Sequence, residues 1–535
     1  MLYIKNRNSL ERRFQNKWRG LINAISNLLQ INIMAARTVA SLLKTSLGPK
    51  GMDKMLVSPD GDVIITNDGA TILEKMEIHH QTAKLLAELS ASQDNEIGDG
   101  TTGVVVLAGA ILEQAQKLLD KGIHPLKIAD GFEVACEIAT KRLTEIAEEL
   151  DISKNDYEFL RKCATTALGS KVVSKCQNHF ADLAVRAVLH VADIERRDVN
   201  FDLIKIIAKS GGAIEDSQFI EGIVIDKDFS HPQMDKEIKD AKVVILTCPF
   251  EPPKPKTKHG IEIKTVEDYE KLQKMEADYF TDMVKRVKDS GANVVLCQWG
   301  FDDEANHLLM MNELSSVRWV GGVEIELLAI ATGARIVPRF EEITPEKLGK
   351  AGLIKEMSFG TSNDKVILIQ DCDKSKAVTV LIRGGSKTIC DEARRCLHDA
   401  ICVVRNMIKN NNVVGGGGAT ELACSIAVAA EADKIKGVEQ YAVRAFADAL
   451  EEIPQALAEN SGFNPIEYVS KLREEQISEA NPFIGVDANL QGTTNMYEQG
   501  IFESVLSKKN QLELATQVVK MILKIDDVIA PQEYE

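Results

Sequence analysis

Nine residues without a polar side chain, Val104 to Leu112, follow directly on Gly98-Asp99-Gly100-Thr101-Thr102-Gly103. Such a run reads as a buried helix, because a helix that is apolar on every side must be wrapped by other elements. Its N-terminus carries unpaired amides and the positive end of the helix dipole, which favour an anion. The three glycines let backbone N–H groups converge on phosphate oxygens, and the two threonines add hydroxyl donors. Asp99 does not suit a bare phosphate cradle, since its charge would repel the ligand. A divalent cation between them removes the conflict, and Mg²⁺ joining nucleotide phosphates to one carboxylate is the usual arrangement. The loop therefore reads as a Mg-nucleotide site. The plain alternative is a glycine-rich helix cap with a solvated aspartate.

Two other phosphate motifs fit less well. The same run satisfies G-x-G-x-x-G, but a dinucleotide fingerprint needs a strand immediately before it. Here Leu85, Leu86 and Leu89 recur at helical spacing instead. Arg383-Gly384-Gly385-Ser386-Lys387-Thr388 resembles the end of a P-loop, yet Ser386 stands where glycine must precede the lysine.

At 535 residues the chain exceeds one core, so about three domains are expected at ~100–200 residues each. No apolar run approaches the ~20 residues needed to span a bilayer. A net charge of −16 argues against nucleic acid as a partner. The ten cysteines contain no C-x-x-C pair and no zinc spacing, which predicts buried free thiols in a reducing compartment. Cys396 and His398 read as helix packing rather than metal ligation. Met1 to Gln30 carries six Lys or Arg residues against Glu11. That composition fits a mitochondrial transit peptide or an exposed basic arm, and we read it as the arm.

Along the chain, Met55-Leu56-Val57, the turn Pro59-Asp60-Gly61 and Val63 to Thr66 form a hairpin. Helical patterning then runs to about Leu150, with a break at Gly122 and Pro125. Buried-strand runs mark the middle, at 243–246, 294–296, 335–337, 366–369 and 378–382, with helices between them. Helical character returns from about Asp391. One domain is thus inserted in another, whose outer halves close up as one unit. Glu251 to Gly260 is too proline-rich for helix or central strand. It leads into an amphipathic helix from about Val266 to Lys288, so the pair is either a projecting arm or a surface loop with a packed helix.

A nucleotide site needs more than one loop. Leu47-Gly48-Pro49-Lys50-Gly51 is a second glycine turn, and Gly415 to Gly418 is a third, again opening a helix. Four consecutive glycines cost conformational entropy, which close approach of a ligand or another backbone would explain. Asp68 ends a strand, where a turn can aim its carboxylate outwards. Asp399 lies on an amphipathic helix between apolar neighbours, facing either a cleft or solvent.

Thr45 to Pro49, Asn67 to Ile72, Gly98 to Thr102 and Gly416 to Ala419 resemble, in order and spacing, the nucleotide-site motifs of group II chaperonins, the TCP-1/TRiC/CCT family. The resemblance covers about Ile33 to Ala530. The segments 248–259, 297–307 and 317–322 narrow it to one subunit type of the eukaryotic cytosolic members. It implies a multidomain α plus α/β chaperonin fold. A helical equatorial ATPase domain would span 1–155 and 413–535, and a small α/β intermediate hinge domain 156–226 and 381–412. An α/β apical substrate-binding domain would span 227–380, with a helical protrusion at about 250–290.

The same resemblance implies ATP and Mg²⁺ as cofactors. Gly48 and Gly417 would contact nucleotide, Asp99 would hold Mg²⁺, and Gly100, Thr101, Thr102 and Gly103 would hold phosphates. Asp68 and Asp399 would position and deprotonate the attacking water. Ser170 and Lys171 would lie near the phosphates, Asp487 at the nucleoside and Glu503 at the ribose. Unfolded polypeptide would bind around Phe301, His307, Met310 and Met311. The implied protein is a cytoplasmic, ATP-hydrolysing chaperone subunit in a double ring of eight-membered rings with paralogous subunits. Its substrates would be unfolded or nascent polypeptides such as cytoskeletal proteins, with neither nucleic acid nor membrane as partner. A ring scaffold with an idle nucleotide site is the rival reading. Residues 1–32, Gly415 (where an aromatic is common) and Ser504 (where proline is frequent) depart from the family pattern.

Overall fold

In the computed structural model, the described residues are 29–527 except 59–60, 62, 151–156, 252–262, 264, 360–363 and 373–375. The basic segment up to residue 28, the turn residues Pro59 and Asp60, and the prolines after Glu251 lie outside them. The chain divides into two compact units, Met1–Val185 with Arg395–Glu535, and Arg186–Arg394. It leaves the first to build the second and then returns.

The first unit is built around the helix Thr101–Asp120, on which Val104, Val105, Ala108, Ile111 and Leu112 are fully buried. It is long and apolar enough to cross a membrane, yet it is the core helix here. Helices Gln81–Glu96, Glu439–Leu450 and Val505–Leu523 pack around it, and Pro125–Glu145 packs on the last two and on Ala419–Ala432. Local chemistry sets the boundaries. Gly122 turns the chain at φ +85°, Pro125 occupies the first helical turn, and the His124 ring caps it by accepting from the Leu126 amide. Residues 29–44 are helical and pass very close to the core helix. A Cβ built on Gly109 would lie only 2.2 Å from the Ala40 Cβ, so glycine is required at that crossing.

Two small sheets complete this unit. Lys54–Val57 and Val63–Thr66 form the expected antiparallel hairpin, with Lys54 opposite Thr66. Asn412–Gly415 lies between Phe502–Ser504 and Glu148–Glu149, both antiparallel to it. That central strand delivers the chain into the four-glycine loop.

The second unit holds a seven-stranded mixed sheet, ordered Gly222–Ile225, Lys365–Gln370, Gly349–Ser358, Glu237–Leu246, Val294–Cys297 and Ser315–Val317, with Ile336–Val337 also on Glu237–Leu246. Val243 to Leu246 and Val294 to Cys297 are buried at every position, the pattern of parallel strands covered on both faces. Their continuous apolar runs made them legible. Gly349–Ser358 was not, because its GKAGLIKEMS sequence is polar and half exposed. A three-stranded sheet sets Val378–Gly384 between Ile204–Ser210 and Gln218–Ile220. The helix Val266–Asp289 is buried only at Phe280, Met283, Val284 and Val287. Tyr269, Leu272 and Tyr279, which share its apolar side in sequence, are exposed.

The Gly109 crossing is testable. Gly109→Ala is expected to destabilise the protein by about 1–3 kcal/mol through overpacking. Adding Ala40→Gly should recover part of this, since it removes the atom that is struck, although glycine in a helix itself costs about 1 kcal/mol. Urea denaturation of the four proteins in a double-mutant cycle gives the coupling. Strictly additive losses would show that the two helices do not meet there.

Candidate active site

Three glycine loops of the first unit meet at one cavity of about 610 Å³. Gly48, Gly100 to Gly103 and Gly417–Gly418 line it, together with Asp68, Asp99, Ser170, Lys171, Asp399 and Glu503. Residues from opposite ends of the chain are thus brought together. Among the expected nucleotide-site residues, Asp487 is the one that does not reach this wall.

Two helices open onto the cavity with bare N-termini. Gly100 (φ +76°) precedes Thr101–Asp120, Gly418 (φ +77°) precedes Ala419–Ala432, and neither helix has a side-chain cap. Left-handed backbone at both positions favours glycine. Close packing reinforces the choice, because a Cβ on Gly100 would collide with Gln511 Nε2 at 1.7 Å and one on Gly418 would approach Pro454 to 2.9 Å. Two uncapped termini aim unsatisfied amides and two positive dipole ends at the same space.

The carboxylates are held differently from one another. Asp68 caps the helix Gly69–Lys75, accepting from the Thr71 amide at 2.9 Å, the Thr71 hydroxyl at 2.7 Å and the Thr101 hydroxyl at 2.7 Å. Burial alone would raise its pKa. The Lys171 ammonium, followed by the hydrogen bonds from Thr71 and Thr101, outweighs burial and holds the carboxyl below the usual aspartate value. Asp399 accepts from the Lys171 ammonium in a mostly buried ion pair. The loop bearing Lys171 is tied down where Asn67 Nδ2 donates to the Ser170 carbonyl. Asp99 has no hydrogen bond or ion pair to its carboxylate among the described residues, while its carbonyl accepts from Gln93 Nε2 at 2.8 Å. It is free to meet a cation.

No group of three or more His, Cys, Asp or Glu residues that could hold a metal is present among the described residues. One free carboxylate beside an anion-binding cradle matches Mg²⁺, which is commonly held by one or two carboxylates plus substrate phosphates.

Asp487 is fully engaged elsewhere. Its carboxylate accepts from the amides of Gln491 at 3.0 Å and Gly492 at 2.8 Å, and from Gln499 Nε2 at 3.0 Å. It closes the loop after Val486, and Val486, Ala488 and Asn489 form the wall in its place. Two departures from the family pattern have local reasons. Gly415 backs onto Phe483, whose ring edge would be 3.0 Å from a Cβ, and Ser504 caps the last helix by accepting from the Leu506 amide at 3.2 Å.

Sequence reading missed Lys508, Glu421 and Asp94. Lys508 pairs with Glu421 at 2.6 Å and Glu503 at 2.5 Å at the back of the cavity. Asp94 is half-buried, its carboxyl pushed up first by burial and then by the Asp68 carboxylate. The available signal was at Glu421, the one charged residue between Lys409 and Glu431.

In the second unit, helix Asp303–Met311 exposes His307 and Met311, while Met310 is half-buried against the core. Phe301 is not a surface residue. Its ring packs edge-on to Phe250 at 5.0 Å inside the core, so it offers nothing to a ligand outside.

Residues 39–533 match the model of the TCP-1/cpn60 chaperonin family. The chain is 50% identical over 500 residues to "T-complex protein 1 subunit epsilon" of Encephalitozoon cuniculi (strain GB-M1), covering 93% of each. It is 44% identical over 506 residues to a "Thermosome subunit" of Methanopyrus kandleri, covering 94% of this chain and 92% of that one. A second "Thermosome subunit", of Methanocaldococcus jannaschii, is 42% identical over 508 residues with the same coverage.

The lowered Asp68 pKa gives a pH test. Folding favours its ionised form, so the stability it supplies is complete above the unfolded-state pKa and is lost as pH falls through the lower folded one. At pH 7, Asp68→Asn is expected to cost about 1 kcal/mol. The gap from wild type should close as the pH drops below about 4. Denaturation at a series of pH values checks this, and a gap that stays constant contradicts it.

Proposed function

This chain belongs to the TCP-1/cpn60 chaperonin family, and we propose that, as a chaperonin subunit, it binds Mg-ATP in the cavity just described and hydrolyses it to drive protein folding within a double ring. The observation that carries this is the convergence of Asp68, Asp99, Lys171 and Asp399 on one wall with two uncapped helix N-termini. The N-terminal amides of Thr101–Asp120, the hydroxyl of Thr102 and the Gly417–Gly418 loop would receive phosphates. When bound at Asp99, Mg²⁺ would neutralise phosphate charge. Asp68 stays ionised at neutral pH and would orient the attacking water.

Asp399 is the proposed general base. Its carboxylate is paired with Lys171, so it becomes basic toward water once Lys171 turns to a phosphate instead. One lysine thereby links phosphate arrival to release of the base. In the proposed three-part division (1–155 with 413–535, 156–226 with 381–412, and 227–380), Asp399 sits on the hinge. Closure would then bring it to the γ-phosphate.

The exposed hairpin supports assembly with sister subunits. Among the described residues its two strands pair only with each other, and Met52, Met55 and Val57 are more than 60% exposed. A lone two-stranded sheet is marginal, and its open edges suit pairing with a neighbour's strand. His307 and Met311 are the exposed candidates for contact with unfolded polypeptide, methionine being adaptable. Ten free cysteines, seven of them buried, support a reducing cytoplasmic setting.

Asp399→Ala is expected to leave ATP binding intact while hydrolysis falls by roughly 10²–10⁴. Single-turnover hydrolysis and nucleotide retention, measured on assembled rings, test this. Full turnover in the variant removes Asp399 from the mechanism. A wild-type site that binds ATP and never cleaves it assigns the chain to the idle-scaffold reading.

A further inference from the structure

The helix Lys387–Lys409 carries Asp399, and three of its later residues grip the segment that leads into Asp99. Asn406 Nδ2 donates to the Ile97 carbonyl at 2.9 Å, and Asn406 is only 1% exposed. Arg405 Nη2 donates to the Glu96 carbonyl at 2.9 Å. Cys402 packs on Gly98 so tightly that a Cβ built there would lie 2.4 Å from its Sγ. Glu96 and Ile97 end the helix Gln81–Glu96, and the last carbonyls of a helix have no partner within it. The helix that bears Asp399 supplies those partners from outside.

Spacing connects this grip to the chemistry. Asn406 follows Asp399 by seven residues, two helical turns and roughly 10 Å along the axis. Residues 399, 402 and 406 recur at intervals of three and four, so they share one face of the helix. Val403, beside them, lines the cavity together with Asp399. Across the contact, Ile97 stands two residues before Asp99, whose own carbonyl is held by Gln93 Nε2 at 2.8 Å. One buried amide thus joins the support of the proposed base to the support of the proposed metal holder. Lys171 also ties Asp399, but in the mechanism above that lysine leaves for a phosphate. The Asn406 bond does not involve the carboxylate, so it outlasts that exchange.

We propose that Asn406 is a positioning residue for hydrolysis: its bond to the Ile97 carbonyl sets the distance between Asp399 and the Asp99 loop, and so keeps the base within reach of the attacking water. This rests on reading the cavity as an ATPase site and adds to that reading the part that fixes the base. Asn406 is not in the cavity wall, so it acts through Asp399 and not on the nucleotide. A misplacement of about 1 Å can slow a reaction by roughly 10². Binding through the glycine loops does not depend on where the base stands, so affinity for ATP is spared.

Asn406→Leu keeps much of the side-chain volume and removes the donor. On assembled rings, single-turnover hydrolysis is expected to fall roughly 10- to 100-fold while the calorimetric Kd for Mg-ATP stays at the wild-type value. Asn406→Ser cuts the same bond but leaves room for water to reach the Ile97 carbonyl, so it serves as the variant least harmful to folding, with the same expected split. A cycle with Asp399→Ala then identifies the route. Because the two residues act as a unit, losing Asn406 should cost nothing further once Asp399 is gone. Losses that multiply in the double variant mark a merely structural role and overturn the proposal. So does slower hydrolysis that is fully explained by weaker ATP binding, and so does wild-type hydrolysis in both Asn406 variants. A wild-type ring that binds no ATP, or never cleaves it, instead sinks the ATPase reading of the cavity, and this inference with it.

Discussion

Burial of the helix Thr101–Asp120 is the constraint from which the first unit follows. The stretch Val104 to Leu112, apolar on all sides, forces other helices around it, and that packing immobilises the first turn. A bare N-terminus is a useful anion site only when it cannot move to find another partner. Gly100 and Gln511 fit so closely that no side chain could be added to close the loop over itself. The same burial that stabilises the unit thus keeps unsatisfied amides aimed at one cavity.

Charge around that cavity is arranged rather than simply accumulated. Five carboxylates, Asp68, Asp99, Asp399, Glu421 and Glu503, line it against the three lysines Lys162, Lys171 and Lys508. Two of the lysines are committed to ion pairs with three of the acids. Asp68 is stabilised by hydroxyl and amide donors, which leaves Asp99 as the carboxylate without a side-chain partner among the described residues. An acid-rich pocket with two positive helix termini suits an anion that arrives with its own cation.

Much of this was readable from local pattern. The glycine loops, the hairpin and the strand runs at 243–246, 294–296, 366–369 and 378–382 depend on φ preferences and on burial of every residue in a short segment, which leave a direct mark in sequence. The run at 335–337, expected to be buried, instead narrows to Ile336–Val337 with Ile336 exposed. Gly349–Ser358 escaped notice because half its side chains face outwards, and its place in the sheet comes from pairing with Glu237–Leu246. Phe301 was expected among the residues around which unfolded polypeptide would bind, yet the Phe250 ring claims it. Asp487 was expected at the nucleoside by family resemblance alone, and here the amides of Gln491 and Gly492 take both its oxygens. Each miss involves a partner distant in the chain or a turn that folds back on one side chain.

The sequence by itself determined the residue types that meet at the cavity, the helical, mixed, helical order of the chain, and the family to which its motifs belong. These depend on interactions between residues a few positions apart, which spacing records. Only the tertiary structure decided that Lys171 holds Asp399, that Asp99 is left unpaired among the described residues, and that Lys508 joins Glu421 to Glu503. Those are choices among several lysines and many acids, made by which side chains the packed helices bring within 3 Å. No periodicity encodes them, because the partners of Lys171 and Lys508 include residues 228 and 87 positions away.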